Sequence, residues 1–284
     1  MISVIIPTYK NTELFLKNLV NNLKYLNNYQ IIIVNDDPSK SIKKEIKNLI
    51  SRQKIKSDIV LIENKKNLGF GQSVNSAIKK AKGKYLLLLN SDVVLKNKNY
   101  LLALNCFKND PKVFAVSFAQ IEKDGSIVGK NKIFWYKGLY HHQKSGDLKF
   151  GENGWAEGGA SIFDKEKFIK LGGFDPLFSP FYWEDVDLSF RAKKLGYKIL
   201  FNPKVKVLHQ HESTIGKYFN KDQIEKIAFR NQLIFTWKNI DNFKKLIEHV
   251  LYLPLNINFK KNYLLGFFEA IKILLNKKKQ SNVI

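Results

Sequence analysis

Short apolar runs alternate with helical patterns over the first 120 residues of the chain. Four runs are almost continuously apolar, as are parallel strands that are covered on both faces, and they predict strands at residues 3–6, 30–34, 58–62 and 85–89. Between the first two, apolar residues recur at helical spacing after a possible Asn11 cap, and residues 71–81 predict another helix. This order predicts βαβ units and an α/β fold with a mostly parallel central sheet.

The second half of the chain has a less regular pattern. Residues 134–159 are rich in glycine and aromatic residues, and a helix is predicted from Glu184 to Leu195, ended by Gly196. Two strands are predicted next, at residues 198–201 and 205–209, and from about residue 220 the pattern is helical to the end.

Composition and charge narrow the class of protein. The 284 residues include 48 Lys and Arg against 25 Asp and Glu, a net charge of +23, which predicts attraction to nucleic acid, anionic lipid or phosphorylated small molecules. Most of these lysines are expected to be solvated surface. A single cysteine, Cys106, favours a reducing compartment, and we predict the cytoplasm because neither a signal peptide nor an apolar run of transmembrane length is found.

Polar residues follow the predicted strands where an open parallel sheet binds its ligands. Asp36 follows the second strand, and Asn90, Ser91 and Asp92 follow the fourth. Neighbouring strands are about 4.8 Å apart, so these side chains can share one crevice suited to a nucleotide and a metal ion. The alternative is that each is only a turn-forming residue.

Six segments in order carry a resemblance to a known family: residues 3–10, 31–39, 64–92, 158–178, 183–197 and 207–211. Taken together, these segments resemble those of inverting family 2 glycosyltransferases of the GT-A fold, in the subset that includes bacterial rhamnosyl- and galactofuranosyl-type transferases. The resemblance implies a GT-A domain at 1–218, with a nucleotide-sugar half at 1–110 and an acceptor and catalytic half at 111–218. Residues 219–284 would then form a helical, basic and amphipathic extension.

The resemblance also implies roles for single residues. Those expected to bind the nucleotide-sugar are Pro7, Thr8, Tyr9, Asp36, Asn67, Gly69, Phe70, Asn90 and Ser91. Asp92 and His209 are expected to bind a divalent cation, Mg²⁺ or Mn²⁺, which would neutralise charge on the leaving diphosphate. Asn90 replaces the first acid of the family's DxD pattern. The acceptor side is expected to include Trp155, Gly158, Gly159 and Trp183.

Three further histidines, His141, His142 and His211, are less suited to the metal; the first two are expected on the surface or in the acceptor loop.

Three acids stand together at the predicted start of a helix. Inverting transfer needs one carboxylate to accept the proton of the attacking hydroxyl, and the resemblance assigns that base to Asp185. Glu184 is expected to contact the acceptor or to support the base. Asp187 is expected to be a helix-start acid, favoured by the helix dipole and free N–H groups.

The C-terminal apolar run, residues 263–275, is too short to span a bilayer. Lysines flank it on both sides, so it predicts a helix lying on an anionic membrane surface, which would place the protein at the inner face of the cell membrane. The alternative is a terminal helix packed on the core.

These features together predict a metal-dependent transferase that moves a sugar, with inversion, from a nucleoside-diphosphate-sugar to a glycan or lipid-linked acceptor in bacterial-type surface polysaccharide biosynthesis. A nucleic-acid-binding protein is one alternative, but the basic residues are dispersed among acids and no nucleic-acid motif is found, so we predict no nucleic acid partner. A sugar nucleotidyltransferase is the other, but it needs a Gly-rich, Arg-containing loop after the first strand, and residues 7–14 contain neither residue.

Overall fold

The computed structural model describes residues 1–53, 55–209, 214–257 and 260–281. Its first part alternates strands and helices as the sequence predicts: β1 (Ile2–Thr8), α1 (Thr12–Leu26), β2 (Gln30–Asn35), α2 (Lys43–Gln53), β3 (Asp58–Glu63), α3 (Phe70–Ile78) and β4 (Tyr85–Leu89). The four strands are mutually parallel in the order β4-β1-β2-β3. Strands β1, β2 and β4 are buried almost throughout, because helices cover both faces of the sheet.

The rest of the described chain extends this sheet and adds helices. Its strands are β5 (Val93–Leu95), β6 (Val113–Ile121), β7 (Ile127–Val128), β8 (Asn131–Tyr136), β9 (Leu139–Lys144), β10 (Gly151–Glu152), β11 (Ala160–Asp164) and β12 (Lys198–His209). Its helices are α4 (Leu102–Asn109), α5 (Lys165–Lys170), α6 (Glu184–Lys194), α7 (Thr214–Tyr218), α8 (Lys221–Asn239), α9 (Phe243–Ile257) and α10 (Lys261–Ser281). Two short 3₁₀ turns lie at Asn99–Leu101 and Pro176–Phe178.

The complete sheet path is β10-β12-β6-β11-β4-β1-β2-β3. Strand β11 runs antiparallel to both of its neighbours, β4 and β6, whereas β12 is parallel to β6. Hairpin β8–β9 forms a separate small sheet. The prediction of an α/β fold with a mostly parallel central sheet is confirmed.

One strand prediction was wrong in detail. Residues 198–201 and 205–209 belong to a single strand, β12, whose pairing with β6 shifts register between Asn202 and Lys206. Pro203 lies in the shifted segment, and proline cannot donate a hydrogen bond to the ladder. The sequence therefore looks like two strands with a loop between them, whereas the structure has one strand with a bulge.

The C-terminal helices pack against residues of the second half of the sheet domain, among them Trp155 and Trp183. Helix α8 contributes Leu233 and Phe235 to a core that includes Trp183, and α10 packs on α8, with Phe229 and Tyr263 stacked at 4.4 Å between ring centroids. Helix α10 therefore has a packed face, as the alternative to membrane binding requires, while Leu265 and other residues on it stay exposed. Among the described residues, none of the helices combines the length and the apolarity needed to cross a membrane.

Candidate active site

Asp36, at the end of β2, organises the loop that precedes α3. Its buried carboxylate accepts hydrogen bonds from Asn64 Nδ2, Leu68 N and Gly69 N, each at 2.8 Å. A carboxylate has about four acceptor positions, so Asp36 keeps one for a ligand. The resemblance assigns Asp36 to the nucleotide-sugar, whereas three of its acceptor positions are used to hold the loop.

The loop at residues 67–70 lies against the turn before α6. The Phe70 N–H donates to the Pro180 carbonyl at 3.0 Å, and Gly69 has a φ of +79°. A Cβ at Gly69 would lie 2.6 Å from the Pro180 oxygen, so only glycine fits there. The Asn67 side chain accepts from Gly69 N at 2.9 Å. Of the predicted donor-binding residues, Asn67, Gly69 and Phe70 thus shape one loop.

The end of β1 supplies Pro7, Thr8 and Tyr9. Thr8 is buried, and its hydroxyl has no hydrogen-bond partner among the described residues, which points to a missing polar ligand. Tyr9 makes an edge contact with Tyr218 of α7, at 6.1 Å between ring centroids. The three residues therefore lie beside the Asp36 strand end, as their common assignment to the nucleotide requires.

Asn90, Ser91 and Asp92 follow β4 and face the start of β11. The Asn90 N–H donates to the Gly159 carbonyl at 2.8 Å, and a Cβ on Gly159 would lie 2.4 Å from the Asn90 amide nitrogen. Asn18 of α1 donates to the Ser91 carbonyl at 3.0 Å, which fixes the turn. The buried Asp92 lies at the same carboxyl edge of the sheet as Asp36.

His209, the last residue of β12, lies between two carboxylates. Its Nε2 is 3.5 Å from Asp92 Oδ1, and its Nδ1 is 3.4 Å from Glu122 Oε1. Burial lowers the pKa of His209, but Asp92 and Glu122, with Glu157 beyond them, raise it more, so the net shift is upward.

Asp92 and His209 fit a divalent cation as a pair. Two adjacent ligand atoms of an octahedral ion, each about 2.1 Å from it, are about 3 Å apart. The separation of Asp92 Oδ1 and His209 Nε2, 3.5 Å, is close to that value. No group of three His, Cys, Asp or Glu side chains with metal-binding geometry occurs within the described ranges, so the remaining ligands would have to come from substrate phosphates and water. His211 lies outside the described residues.

Glu157 is a residue that the sequence analysis did not select. Its carboxylate accepts from Asn131 Nδ2 at 3.0 Å and from Gln120 Nε2. Its charge raises the pKa of both His209 and Asp185, so it is within electrostatic range of the predicted metal pair and of the predicted base. Its position directly before Gly158 was the available indication.

Asp185, the predicted base, lies in the first turn of α6, and its carboxylate is near Gly158. Its half-buried carboxylate accepts from Val186 N at 2.8 Å and, at 3.4 Å, from Gly158 N. Burial, with the charge of Glu157, raises the pKa of Asp185 to about 7, although those backbone N–H groups oppose the rise. A carboxyl with this pKa exchanges its proton near neutral pH.

Glu184 lies on another side of the helix start. It is buried, its Cβ is near Gly71 of α3, and its Oε2 has no hydrogen-bond partner among the described residues. Burial, together with the charge of Asp185, raises the pKa of Glu184 well above its usual value. The Cβ of Glu184 therefore lies against α3, and both predicted roles of Glu184, acceptor contact and support of the base, stay predictions.

Asp187 lies in the first turn of α6, as predicted, but no capping bond holds its side chain. The side chain is fully buried and pairs with Arg191 Nε and Lys238 Nζ, both at 2.7 Å. Lys238, on α8, also binds Asp175 at 2.6 Å. Asp187 thus joins α6 to α8, because a carboxylate buried this deeply needs charged partners.

The turn before Asp185 is strained and is held from outside. Tyr182 and Trp183 have φ values of +71° and +74°, which non-glycine residues rarely adopt. The fully buried Asn231 of α8 places its amide nitrogen 2.9 Å from three carbonyl oxygens of this turn, those of Phe178, Phe181 and Tyr182. Helix α8 therefore fixes the backbone that presents Asp185.

Most of the predicted acceptor residues meet around this turn. Trp155 and Trp183 are largely buried, and the His142 ring contacts both edge-on, with centroids at 5.1 and 4.7 Å. Gly158 lets the Phe70 ring approach, since a Cβ there would lie 2.6 Å from it. A cavity of about 220 Å³ begins at Trp183 and continues to Tyr263 on α10.

An α/β sheet with one antiparallel strand inserted beside its fourth strand, and acids gathered at that edge, has the architecture of GT-A glycosyltransferases. The chain belongs to glycosyl transferase family 2, whose family model matches residues 3–172.

Curated relatives include the poly-beta-1,6-N-acetyl-D-glucosamine synthases of Staphylococcus aureus, 27% identical over 205 residues, which are 71% of this chain and 48% of that protein. The enzyme of Staphylococcus epidermidis is 25% identical over 76% of this chain and 51% of its own length. The chain thus spans about half the length of the curated relatives it matches.

Solved structures show the same fold. GalNAc-T7 with UDP, GalNAc and Mn²⁺ has a TM-score of 0.64 at 17% identity, covering 86% of this chain and 49% of that one. The mannosyltransferase PcManGT from Pyrobaculum calidifontis, in complex with GDP-Man and Mn²⁺, has a TM-score of 0.60 at 15% identity, covering 99% and 80%. S. aureus TarS in complex with UDP-GlcNAc has a TM-score of 0.58 at 15% identity, covering 96% and 81%.

Proposed function

We propose that this protein transfers a sugar from a nucleoside-diphosphate-sugar to a hydroxyl of a growing surface glycan or its lipid-linked precursor, with inversion. The observation that carries the proposal is Asp185, a carboxyl with a pKa near neutrality, directed to Gly158 at the sheet edge where Asp92 and His209 meet. The family and the neighbours' bound nucleotides support it.

In this mechanism the donor's nucleotide occupies the crevice between the ends of β1 and β2, where Thr8 and Asp36 have polar atoms to offer. The loop at 67–70 covers its diphosphate side. Asp92 and His209 would hold a divalent cation, which would neutralise charge on the diphosphate as it leaves. The neighbours that contain Mn²⁺ support this assignment.

Asp185, the proposed base, acts on the acceptor. Asp185 accepts the proton from the acceptor hydroxyl while that oxygen attacks the anomeric carbon from the face opposite the diphosphate, so one transfer inverts the centre. Glu157 keeps the proton affinity of Asp185 high enough for this task. Glu184 supports the turn between the donor helix and the base.

The cavity at Trp183 is suited to the acceptor. His142, Trp183, Phe229 and Tyr263 line it with ring surface, while Gln232 and other polar residues face it. Sugar rings have apolar faces and polar edges. The aromatic rings complement the faces, and the polar side chains can form hydrogen bonds with the edges. We assign the acceptor's sugar ring to this cavity.

The donor is proposed from the relatives. Because the curated relatives are named as N-acetylglucosamine polymer synthases, UDP-GlcNAc is the first donor to test. The rhamnosyl- or galactofuranosyl-type subset stays a prediction, and it requires transfer from a dTDP- or UDP-linked donor of that type. Neither the nucleic-acid-binding alternative nor the nucleotidyltransferase alternative gains support from the comparisons.

The deciding experiment compares wild type with Asp185→Asn. Removing a general base lowers transfer by about 10²- to 10⁴-fold, while thermal stabilisation by UDP-GlcNAc with Mn²⁺ should persist because the donor crevice is untouched. Asp124→Asn, in an exposed turn, is the matched control and should transfer normally. Loss of donor binding in a folded Asp185→Asn protein would contradict the base assignment.

We also propose, as the sequence predicts, that the protein works on the inner face of the cell membrane, attached through its C-terminal segment to anionic lipid. Exposed Leu264, Leu265 and Phe268 on α10, with Lys260 and Lys261 beside them, support this attachment.

A further inference from the structure

Helix α9 turns two polar side chains, Glu248 and His249, towards the protein. Glu248 accepts from Trp135 Nε1 at 2.8 Å and from Gly138 N at 3.2 Å. The buried His249 is 2.7 Å from the Gly138 carbonyl oxygen through Nδ1 and 2.8 Å from Trp237 Nε1 through Nε2. These bonds fix the rotation of the helix, so its orientation is set by specific contacts.

The opposite side of α9 is apolar and exposed. The side chains that form this face, called here the α9 face, are Phe243, Leu246, Ile247, Val250, Leu251 and Leu255. They recur three or four residues apart, and Phe243, Leu251 and Leu255 are 74%, 67% and 69% exposed. An exposed apolar stripe of this size, on a helix whose Glu248 and His249 face inward, is typical of a surface that binds something apolar.

The charges around the α9 face indicate which apolar surface it meets. Lys244 at one end of the helix and Lys260 and Lys261 after the other are exposed, whereas the acid within α9, Glu248, points inward. The chain as a whole carries +23. An apolar stripe bordered by lysines complements a bilayer with anionic headgroups. Fifteen residues of helix are about 22 Å long, which suits lying in the interface and not crossing it.

We propose that the α9 face inserts into the headgroup boundary of an anionic membrane. This inference rests on the membrane attachment proposed above and names the element that inserts, which the sequence assigned to residues 263–275. Hairpin β8–β9, to which α9 is bonded, carries His142 of the acceptor cavity, so a docked α9 would bring that cavity close to a lipid-linked acceptor.

The test is vesicle cosedimentation of the full 284-residue chain. Vesicles of phosphatidylcholine, alone or with about 30% phosphatidylglycerol, are used at about 0.1 and 0.5 M salt. The variant Leu251→Glu/Leu255→Glu is compared with Ile169→Glu/Leu195→Glu, which makes the same change at aliphatic residues 56% and 58% exposed elsewhere. A third variant, Leu265→Glu/Phe268→Glu, tests α10. Thermal unfolding and transfer to a water-soluble acceptor verify that each variant is folded.

We expect wild type and the Ile169/Leu195 control to bind anionic vesicles, and we expect the Leu251/Leu255 variant to bind them at least about tenfold more weakly. If the α9 variant bound like wild type while the α10 variant did not, attachment would stand and the role of α9 would be refuted. If wild type bound no vesicles, the membrane attachment and the insertion of the α9 face would both be refuted. Self-association lost only in the α9 variant, with no vesicle binding, would show instead that the face joins two copies. Transfer activity is measured separately, so its absence bears only on the catalytic proposal.

Discussion

The proton affinity of Asp185 makes a quantitative prediction about pH. With a pKa of about 7, raised by burial and by Glu157, about one tenth of Asp185 is ionised at pH 6 and about nine tenths at pH 8. Only the ionised carboxylate can accept a proton. The transfer rate should therefore rise about tenfold between these two pH values, whereas a base with an ordinary aspartate pKa would already be ionised at both.

The assay is the initial rate of sugar transfer between pH 5.5 and 8.5 at constant ionic strength, expressed as kcat/KM for the donor, which reports the free enzyme. Glu157→Gln removes the neighbouring charge but keeps the shape and one oxygen that can accept from Asn131, so it should move the acidic limb to lower pH. A profile that is flat from pH 5.5 to 8 in wild type would refute the reasoning. So would an acidic limb that Glu157→Gln leaves unmoved.

Three further substitutions test the support around the base. Gly69→Ala places a Cβ against the Pro180 backbone at a φ of +79°, so it should lower the free energy of unfolding by about 1–3 kcal/mol in denaturant titrations and weaken donor binding. Asn231→Ala leaves three carbonyls of the strained turn at Tyr182 without their donor and should cost about 1–3 kcal/mol and reduce kcat more than it raises donor KM; equal kinetics would contradict its positioning role. Glu184→Gln tests a raised folded pKa: the proton that the folded state retains stabilises it at low pH, and this contribution is lost as pH rises above the unfolded carboxyl pKa. Relative to the variant, wild type should therefore become less stable from pH 5 to 8, and a constant difference would count against this account.

The sequence predicted the βαβ half well because each element there depends on local pattern. Buried parallel strands need continuous apolar runs, and α1 needs one apolar face, whose Phe15 and Leu19 are fully buried. Family motifs also predicted that Asp36, Asp92 and His209 share one edge of the sheet, because each follows or ends a strand there. How Asp36 divides its hydrogen bonds between loop and ligand was not predictable, since that depends on how the loop at 67–70 folds.

Long-range partners account for the rest. Asp187 resembles any acid in a first helical turn, and only the approach of α8 gives it Lys238. Asn231 lies within a helical pattern that gives no indication of the strained turn it holds, about 50 residues earlier in the chain. Which face of α9 is exposed could not be predicted either. The periodicity of α9 shows two faces, but the face that the protein covers is decided by contacts with Trp135 and Gly138 of the hairpin.

The three acids at the start of α6 show how one turn can connect the whole site. The Cβ of Glu184 lies against α3, the carboxylate of Asp185 is near Gly158 at the sheet edge, and Asp187 pairs with Lys238 of the C-terminal helix α8. The turn before them bonds to the donor loop through Pro180 and to α8 through Asn231. Since Asp185, the proposed base, is carried by a strained segment bonded on both sides, its position depends on the loop at 67–70 and on helix α8 together. The C-terminal helices therefore hold the turn that carries Asp185, even though they follow it in the chain.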